Sequence, residues 1–321
     1  VDFDLSDDQR EILGAVEVLL DRHAGAARAI ALQRESGYDG ALEAALADAG
    51  FLDVARQTGE GGGSLEAALI VESVARAAGV CAAGAAALVA PALGEPAVPA
   101  PIALATTAAP GPVRYAAHAR TLLVIDGGTA RRVPLSPGDC PAVASSFGYP
   151  MGTVTVERMR AGEALGPGSG ERLGRWWRLA LAVECVGTMD AALAQTVGYL
   201  KTRRQFGRAI GSFQAVQHRL AECAIEIEAS RWLVREAAFH DAPAEPVATA
   251  AAYALAAAGR VFAETHQLSG AIGFTREHDL HVWSMRLQAL RLELGGVAAH
   301  RRAVVTSRWG GPASGGAAAT S

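Results

Sequence analysis

Apolar residues recur three and four positions apart in the first ninety or so residues and again in the second half of the chain, and that period is lost between them. Ser6 stands three residues ahead of Gln9, and Ile12, Val16 and Leu19 follow at helical spacing. A serine so placed before a glutamine is the mark of a capping box, so a first helix is expected to run to about His23. Further helical stretches are expected at 38–49 and 64–79, separated by a loop at 57–63. The GEGGG of that loop has no strand before it and no Lys-Ser or Lys-Thr pair after it, so it reads as a turn rather than a phosphate loop.

From residue 90 to 170 prolines, glycines and short β-type runs at 121–125, 131–135 and 153–157 take over, the texture of a small strand domain. Beyond Arg172 long helical patterns return, and Val216, Leu220, Cys223, Ile227 and Val234 form one apolar stripe. A bundle of about four helices is expected there. The fold class is therefore mainly α, with an N-terminal helical domain at 1–90, a reduced middle β domain at 91–170 and a C-terminal helical bundle at 171–308. Residues 309–321, rich in Gly, Ala and Ser, are expected to be a disordered tail.

Composition sharpens this picture. Of 321 residues 50% are hydrophobic but only 6% aromatic, with alanine carrying much of the total, which suits closely packed helices. A net charge of −4 gives no general attraction to nucleic acid or an anionic membrane, so phosphate binding has to be local. The most apolar runs, 84–93 and 247–258, are too short to span a bilayer, and no transmembrane segment is expected. The opening VDFDLSDDQ is acidic where a signal peptide is basic, so a cytoplasmic protein is expected, with Val1 at a GTG start. Cys81, Cys140, Cys185 and Cys223 lack metal or redox spacing and read as reduced core thiols.

The candidate chemistry lies in YLKTRRQFGRAIGSFQ at 199–214 and HQLSGAIGF at 266–274. The first block reads as the end of one helix, a glycine corner at Gly207 and Gly211, and a new helix capped by Ser212. That arrangement sets Arg203 beside a helix N-terminus, a combination suited to pyrophosphate, with Gln214 adding a neutral hydrogen bond. Phe206, three residues on, is expected on the same helix face, its ring free for a flavin or adenine. His278 and His281 have metal-ligand spacing but no further ligand cluster, and exposed or capping roles are expected. Trp176 and Trp177 between Arg175 and Arg178 read as packing rather than nucleic-acid stacking.

These blocks resemble the acyl-CoA dehydrogenase family, flavoenzymes that desaturate acyl-CoA thioesters between the α and β carbons, and the resemblance covers nearly the whole chain. It implies FAD as cofactor, with Arg203, Gln205, Phe206, Gln214, Gln267 and Gly270 holding the ADP half of a flavin whose ring sits in the neighbouring subunit. Ala271 stands where the family usually has a second glycine.

Two family features are missing. A segment resembling T-E-x-x-x-G-S-D, which holds the flavin ring and lines the acyl pocket, is replaced by PIALATTAAPGP, and most of the strands after it are expected to be absent. The carboxylate base falls at Gly295 or Gly296 in one family placement and at Trp177 in another. Glu293 is expected on the solvent face of a helix, and Glu184 is out of register. No catalytic residue is assigned in this chain. The pattern resembles the short subunit of actinobacterial α2β2 acyl-CoA dehydrogenases associated with steroid breakdown. It implies a longer homologue as partner, an acyl-CoA substrate, electron-transfer flavoprotein or a similar acceptor, and two flavins per tetramer. The shortened strand domain is expected to leave extra room for a bulky acyl group. A homo-oligomeric dehydrogenase using Glu293 as base and a non-enzymatic scaffold on the same fold remain as competing readings.

Overall fold

Residues 4–57, 62–94 and 98–310 are described by a computed structural model. Val1, residues 58–61 of the GEGGG loop, and the tail at 311–321 lie outside the described residues. The N-terminal helices are α1 (Asp7–His23), α2 (Ala26–Arg34), α3 (Gly40–Asp48), α4 (Ser64–Arg76) and, after a π-helical turn at Ala85–Val89, α5 (Ala90–Ala92). The capping box forms as the sequence requires: Gln9 N donates to Ser6 Oγ at 3.2 Å and Ser6 N to Gln9 Oε1 at 3.0 Å. Helix α2 was not signalled by the sequence. It begins at Gly25 without a side-chain cap and buries one residue, Ala29.

The strand region holds β1 (Ile102–Thr106), β2 (Pro112–Arg114), β3 (Thr121–Asp126), β4 (Thr129–Pro134), β5 (Ala142–Val143), β6 (Met151–Thr153), α6 (Val156–Arg160) and β7 (Glu163–Pro167). It is fuller than three runs suggest. One sheet has the order β1-β3-β4-β7, with β1 and β3 parallel, and the other β2-β6-β5. Strands of two or three residues are too short to show a period, which is why they are silent in the sequence. Of the run at 153–157 only Thr153 is in a strand, as the last residue of β6. Thr155 accepts a hydrogen bond from Arg158 N and caps α6 instead. Alternation along β3 serves two cores: Leu122 and Val124 face the strand region with Ala103, Val133 and Met159, while Leu123 joins the core of the helices.

Next come α7 (Ser169–Thr202), β8 (Arg204–Gln205), β9 (Arg208–Ala209), α8 (Gln214–Phe239), α9 (Ala244–Ser269), α10 (Leu280–Leu292) and α11 (Gly296–Trp309). Helix α7 is the axis of the molecule, packed against α4, α8, α9 and α10. Its start is fixed to the sheet: Ser169 Oγ accepts from Ala130 N at 2.8 Å, and Gly170 lies against the Gly127–Gly128 turn with no space for a side chain. Trp176 and Trp177 are buried, as their reading as packing requires.

Helix α9 and the turn after it, Ala244–Phe274, are long and apolar enough to cross a membrane, contrary to the expectation from short apolar runs. Alanine is the cause, since it adds hydropathy without bulk. Half of the most apolar window is buried within the chain. The helix sits between α7, α8 and α11, and its Arg260 and Glu264 pair with Glu226 and Arg219 of α8 at 2.7 and 2.6 Å.

Small residues let these helices approach closely. A Cβ built at Gly187 of α7 falls 2.2 Å from the Glu72 carbonyl oxygen and 3.0 Å from Arg76 N of α4. Both neighbours are backbone and cannot rotate away. Gly187→Ala is therefore expected to destabilise the chain by about 1–3 kcal/mol, the usual cost of overpacking, measurable as a lower urea midpoint.

Candidate functional site

Two places concentrate chemistry. The first is a buried ionic centre that the sequence did not announce. Arg114, the last residue of β2, donates from Nη1 to Glu184 Oε2 at 2.6 Å, and its Nε forms an ion pair with Glu293 Oε1 at 2.8 Å. Trp177 Nε1 donates to Glu293 Oε2 at 2.7 Å. The guanidinium also lies 4.9 Å from the Tyr149 ring centre and 5.3 Å from that of Tyr115. Burial works against the arginine's charge, but the two carboxylates outweigh it and hold its pKa well above the ordinary value. The same burial pushes the Glu184 carboxyl up, against the pull of Arg114, and raises Tyr149 to about 12.

Glu293 does not sit on a solvent face. Helix α10 ends at Leu292, and Leu294, Gly295 and Gly296 all have positive φ, at 52°, 84° and 73°. Glycine takes that conformation without steric cost. The chain reverses there, and Glu293 is left at the inward side of the break. Between Arg114, Tyr115, Trp177, Ala180, Glu184 and Glu293 remains a cavity of about 20 Å³, room for one water. Among the described residues, arginine and aromatic side chains fill the space beside the strand region at this point, so the extra room expected there for a bulky acyl group is not found around this cavity.

The second place is the exposed end of the bundle where α7 and α9 finish and α8 begins. Arg203 and Phe206 do not share a helix face. Helix α7 ends at Thr202, Arg203 is extended (φ −68°, ψ 119°), and β8 and β9 form a hairpin pairing Arg204 with Ala209 and Gln205 with Arg208. Phe206 and Gly207 make its two-residue turn with φ of 53° and 77°, the left-handed pair that matches strand twist. Phe206 is 90% exposed. Ser212 does not cap α8 either. It donates back to Ala209 O at 2.7 Å, and α8 starts from Phe213 with no side-chain cap.

Gln205, Gln214 and Gln267 are exposed, and Gly270 ends α9 at φ 65° with nothing within 4 Å of where a Cβ would stand. Ala271 is exposed in the 3-10 turn Gly270–Phe274, where its methyl crowds no core. The Tyr199 and His278 rings, 5.3 Å apart, and the Arg219–Glu264 pair at 2.6 Å tie the two blocks to one end of the bundle. His278 is thus half-buried against a tyrosine rather than exposed. Among the described residues Arg203 has no ion-pair partner, and Ser269 Oγ and His278 Nε2 are buried without a hydrogen-bond partner. Free guanidinium, an uncapped helix start, side-chain amides and an open glycine backbone are the donor set a dinucleotide diphosphate requires, so these residues fit an FAD.

The sequence brings together the residues of the second place; of the first it weighs Trp177, Glu184 and Glu293 one at a time as base positions and does not reveal that they meet at Arg114. Arg114 lies in a three-residue strand, and its carboxylate partners come from α7 and from the turn after α10, so no local pattern marks it.

Residues 175–308 match the model of the acyl-CoA dehydrogenase C-terminal domain. Acyl-CoA dehydrogenase IpdE2 of Mycolicibacterium smegmatis is 31% identical over 320 residues, spanning 90% of this chain and 95% of the relative. A solved Tcur3481-Tcur3483 steroid ACAD variant superposes with TM-score 0.76 at 26% identity, covering 94% of this chain and 97% of that one. The ChsE4-ChsE5 complex from Mycobacterium tuberculosis gives TM-score 0.73 at 22% identity over 98% of this chain and 100% of that one, a likeness of fold.

Proposed function

The chain belongs to the acyl-CoA dehydrogenase family, whose cofactor is FAD, and from that premise we propose that it is the short, flavin-sharing subunit of a heteromeric acyl-CoA dehydrogenase. Bound FAD supplies the acceptor for the hydride leaving the β carbon of an acyl-CoA. In this reading Arg203 and the first turn of α8 neutralise the diphosphate, Gln205 and Gln214 donate amide hydrogen bonds, Phe206 offers its ring to the nucleotide, and Gln267 and Gly270 complete the contact from the end of α9. The observation that carries it is exposure: these six residues all lie on open surface, with Phe206 90% exposed, and the neighbouring Phe274 is 74% exposed. A nucleotide on such a surface is sealed from water only when a second chain closes over it.

A longer homologue is the partner proposed, supplying ring pocket and base in an α2β2 assembly with two flavins. The ionic centre supports this division. Trp177 occupies one family base position, Glu293 lies two or three residues before the other, and both are locked together beside Arg114 with room for a single water. A steroid-derived acyl-CoA is the substrate class we favour, because the Tcur3481-Tcur3483 neighbour is a steroid ACAD.

The homo-oligomeric alternative has one observation in its favour, since Glu293 does line an interior cavity. Glu293→Gln keeps the shape of that side chain and separates the readings. With the assembled complex, turnover of an acyl-CoA with an artificial electron acceptor is expected to stay within about twofold of the unmodified enzyme. A general base contributes about 10²–10⁴-fold, so a loss of that size would assign the base to this chain.

A further inference from the structure

The flavin contacts proposed above come from two corners, the hairpin after α7 and the turn after α9, and apart from Gly273 neither corner buries a residue. Residues 203–208 are exposed, as are 274–277. A discontinuous site of this kind is useful only if the spacing of its halves is fixed before the ligand arrives.

A continuous path of short-range contacts links the corners. Ile210 N donates to Arg203 O at 2.8 Å, closing the hairpin, and Arg203 N donates to Tyr199 O at 2.9 Å. Thr202 Oγ1 donates to the same Tyr199 carbonyl at 3.0 Å. The Tyr199 ring meets His278 with centres 5.3 Å apart and planes inclined by 45°. From His278 the path returns to the turn. Glu277 N donates to Thr275 Oγ1 at 3.3 Å, and Thr275 Oγ1 donates to Ile272 O at 2.9 Å. On its other side the His278 carbonyl lies 3.0 Å from His281 Nδ1, which anchors it to α10.

We propose that Tyr199 and His278 form a latch that fixes the hairpin and the turn at one spacing, making both positioning residues for the flavin nucleotide; this rests on the shared-flavin reading above. The ring contact is the joint of this path, because the hydrogen bonds on either side of it are local to their own corner; the Arg219–Glu264 pair joins the adjoining helices α8 and α9 rather than the corners themselves. Neither residue touches the cofactor in this account. They act by keeping Arg203 and Gly270 where one diphosphate can meet both.

Two readouts test it. In the chain alone, His278→Ala is expected to raise amide hydrogen exchange in the hairpin at 203–210, far away in sequence, with the rest of α7 unchanged. In the complex assembled with the longer homologue, Tyr199→Ala and His278→Ala are each expected to weaken FAD binding about threefold to tenfold, the worth of one aromatic pair, with native mass unchanged. Tyr199→Phe keeps the ring and is expected to restore both. Unaltered hairpin exchange in His278→Ala, or a Tyr199→Phe as damaged as Tyr199→Ala, overturns the latch. Arg203→Ala separates the failures: flavin lost there but kept in the latch variants sinks the latch alone, whereas flavin kept in Arg203→Ala sinks the shared site, and the positioning role with it.

Discussion

Arg114→Ala is expected to cost about 3–5 kcal/mol of stability, the loss found when one member of a buried ionic cluster is removed. The substitution strands two carboxylates, Glu184 and Glu293, whose side chains are only 9% and 18% exposed. Against a total stability of about 5–15 kcal/mol that is a large fraction. The sign of its pH dependence follows from Glu184. Burial already raises that carboxyl against the pull of Arg114. Without the arginine its folded-state pKa climbs further above the unfolded value, so the folded protein holds a proton that the unfolded chain releases. Stability of the variant then increases as pH falls through that raised pKa, and the deficit is greatest at neutral pH and above. Thermal unfolding of Arg114→Ala and the unmodified chain at pH 7 and pH 5 checks both statements. Adding Glu184→Gln and Glu293→Gln to the variant is expected to recover part of the loss at pH 7, since neutral amides cost less to leave buried.

The ionic centre also marks the limit of what the sequence discloses. Helices announced themselves where a cap and a period coincided: Ser6 and Gln9 fixed the start of α1, and the stripe through Cys223, Ile227 and Val234 became the buried side of α8. The nucleotide corner was legible as a residue set because Arg203, Phe206 and Gln214 are close in sequence. Its conformation was misread, since a two-residue hairpin turn at Phe206 and Gly207 looks, in one dimension, like a helix running on. In sequence Glu293 reads as outward-facing for a related reason. The leucines at 290, 292 and 294 imply a continuing element, and only the positive φ at Leu294, Gly295 and Gly296 shows that the helix has already ended. Arg114 was invisible because a three-residue strand carries no period and its partners meet it only through the tertiary fold.

Arg203→Ala is expected to strip flavin from an otherwise intact complex. Charge-assisted hydrogen bonds are worth about 1.5–3 kcal/mol, which corresponds to roughly 10–100-fold weaker FAD binding. The expectation is specific because Arg203 is exposed and, among the described residues, has no ion-pair partner. Its removal leaves no buried charge and disturbs no core, so the unfolding midpoint of the chain is expected to stay unchanged. Arg203→Lys retains the charge but not the planar fork and is expected to recover binding only in part. Equilibrium titration of the apo-complex with FAD, followed by flavin fluorescence, gives the dissociation constants, and native mass spectrometry confirms assembly. An Arg203→Ala complex with undiminished affinity would favour a scaffold on the dehydrogenase fold.

The central claim is that this chain holds half of a flavin site and a second chain holds the rest. Visible absorption and native mass, taken on the chain purified alone and again after co-expression with a longer acyl-CoA dehydrogenase homologue, test it most directly. The account predicts a colourless chain alone and a yellow complex carrying one flavin per pair of unlike subunits. A yellow homo-oligomer with one FAD per chain would contradict it.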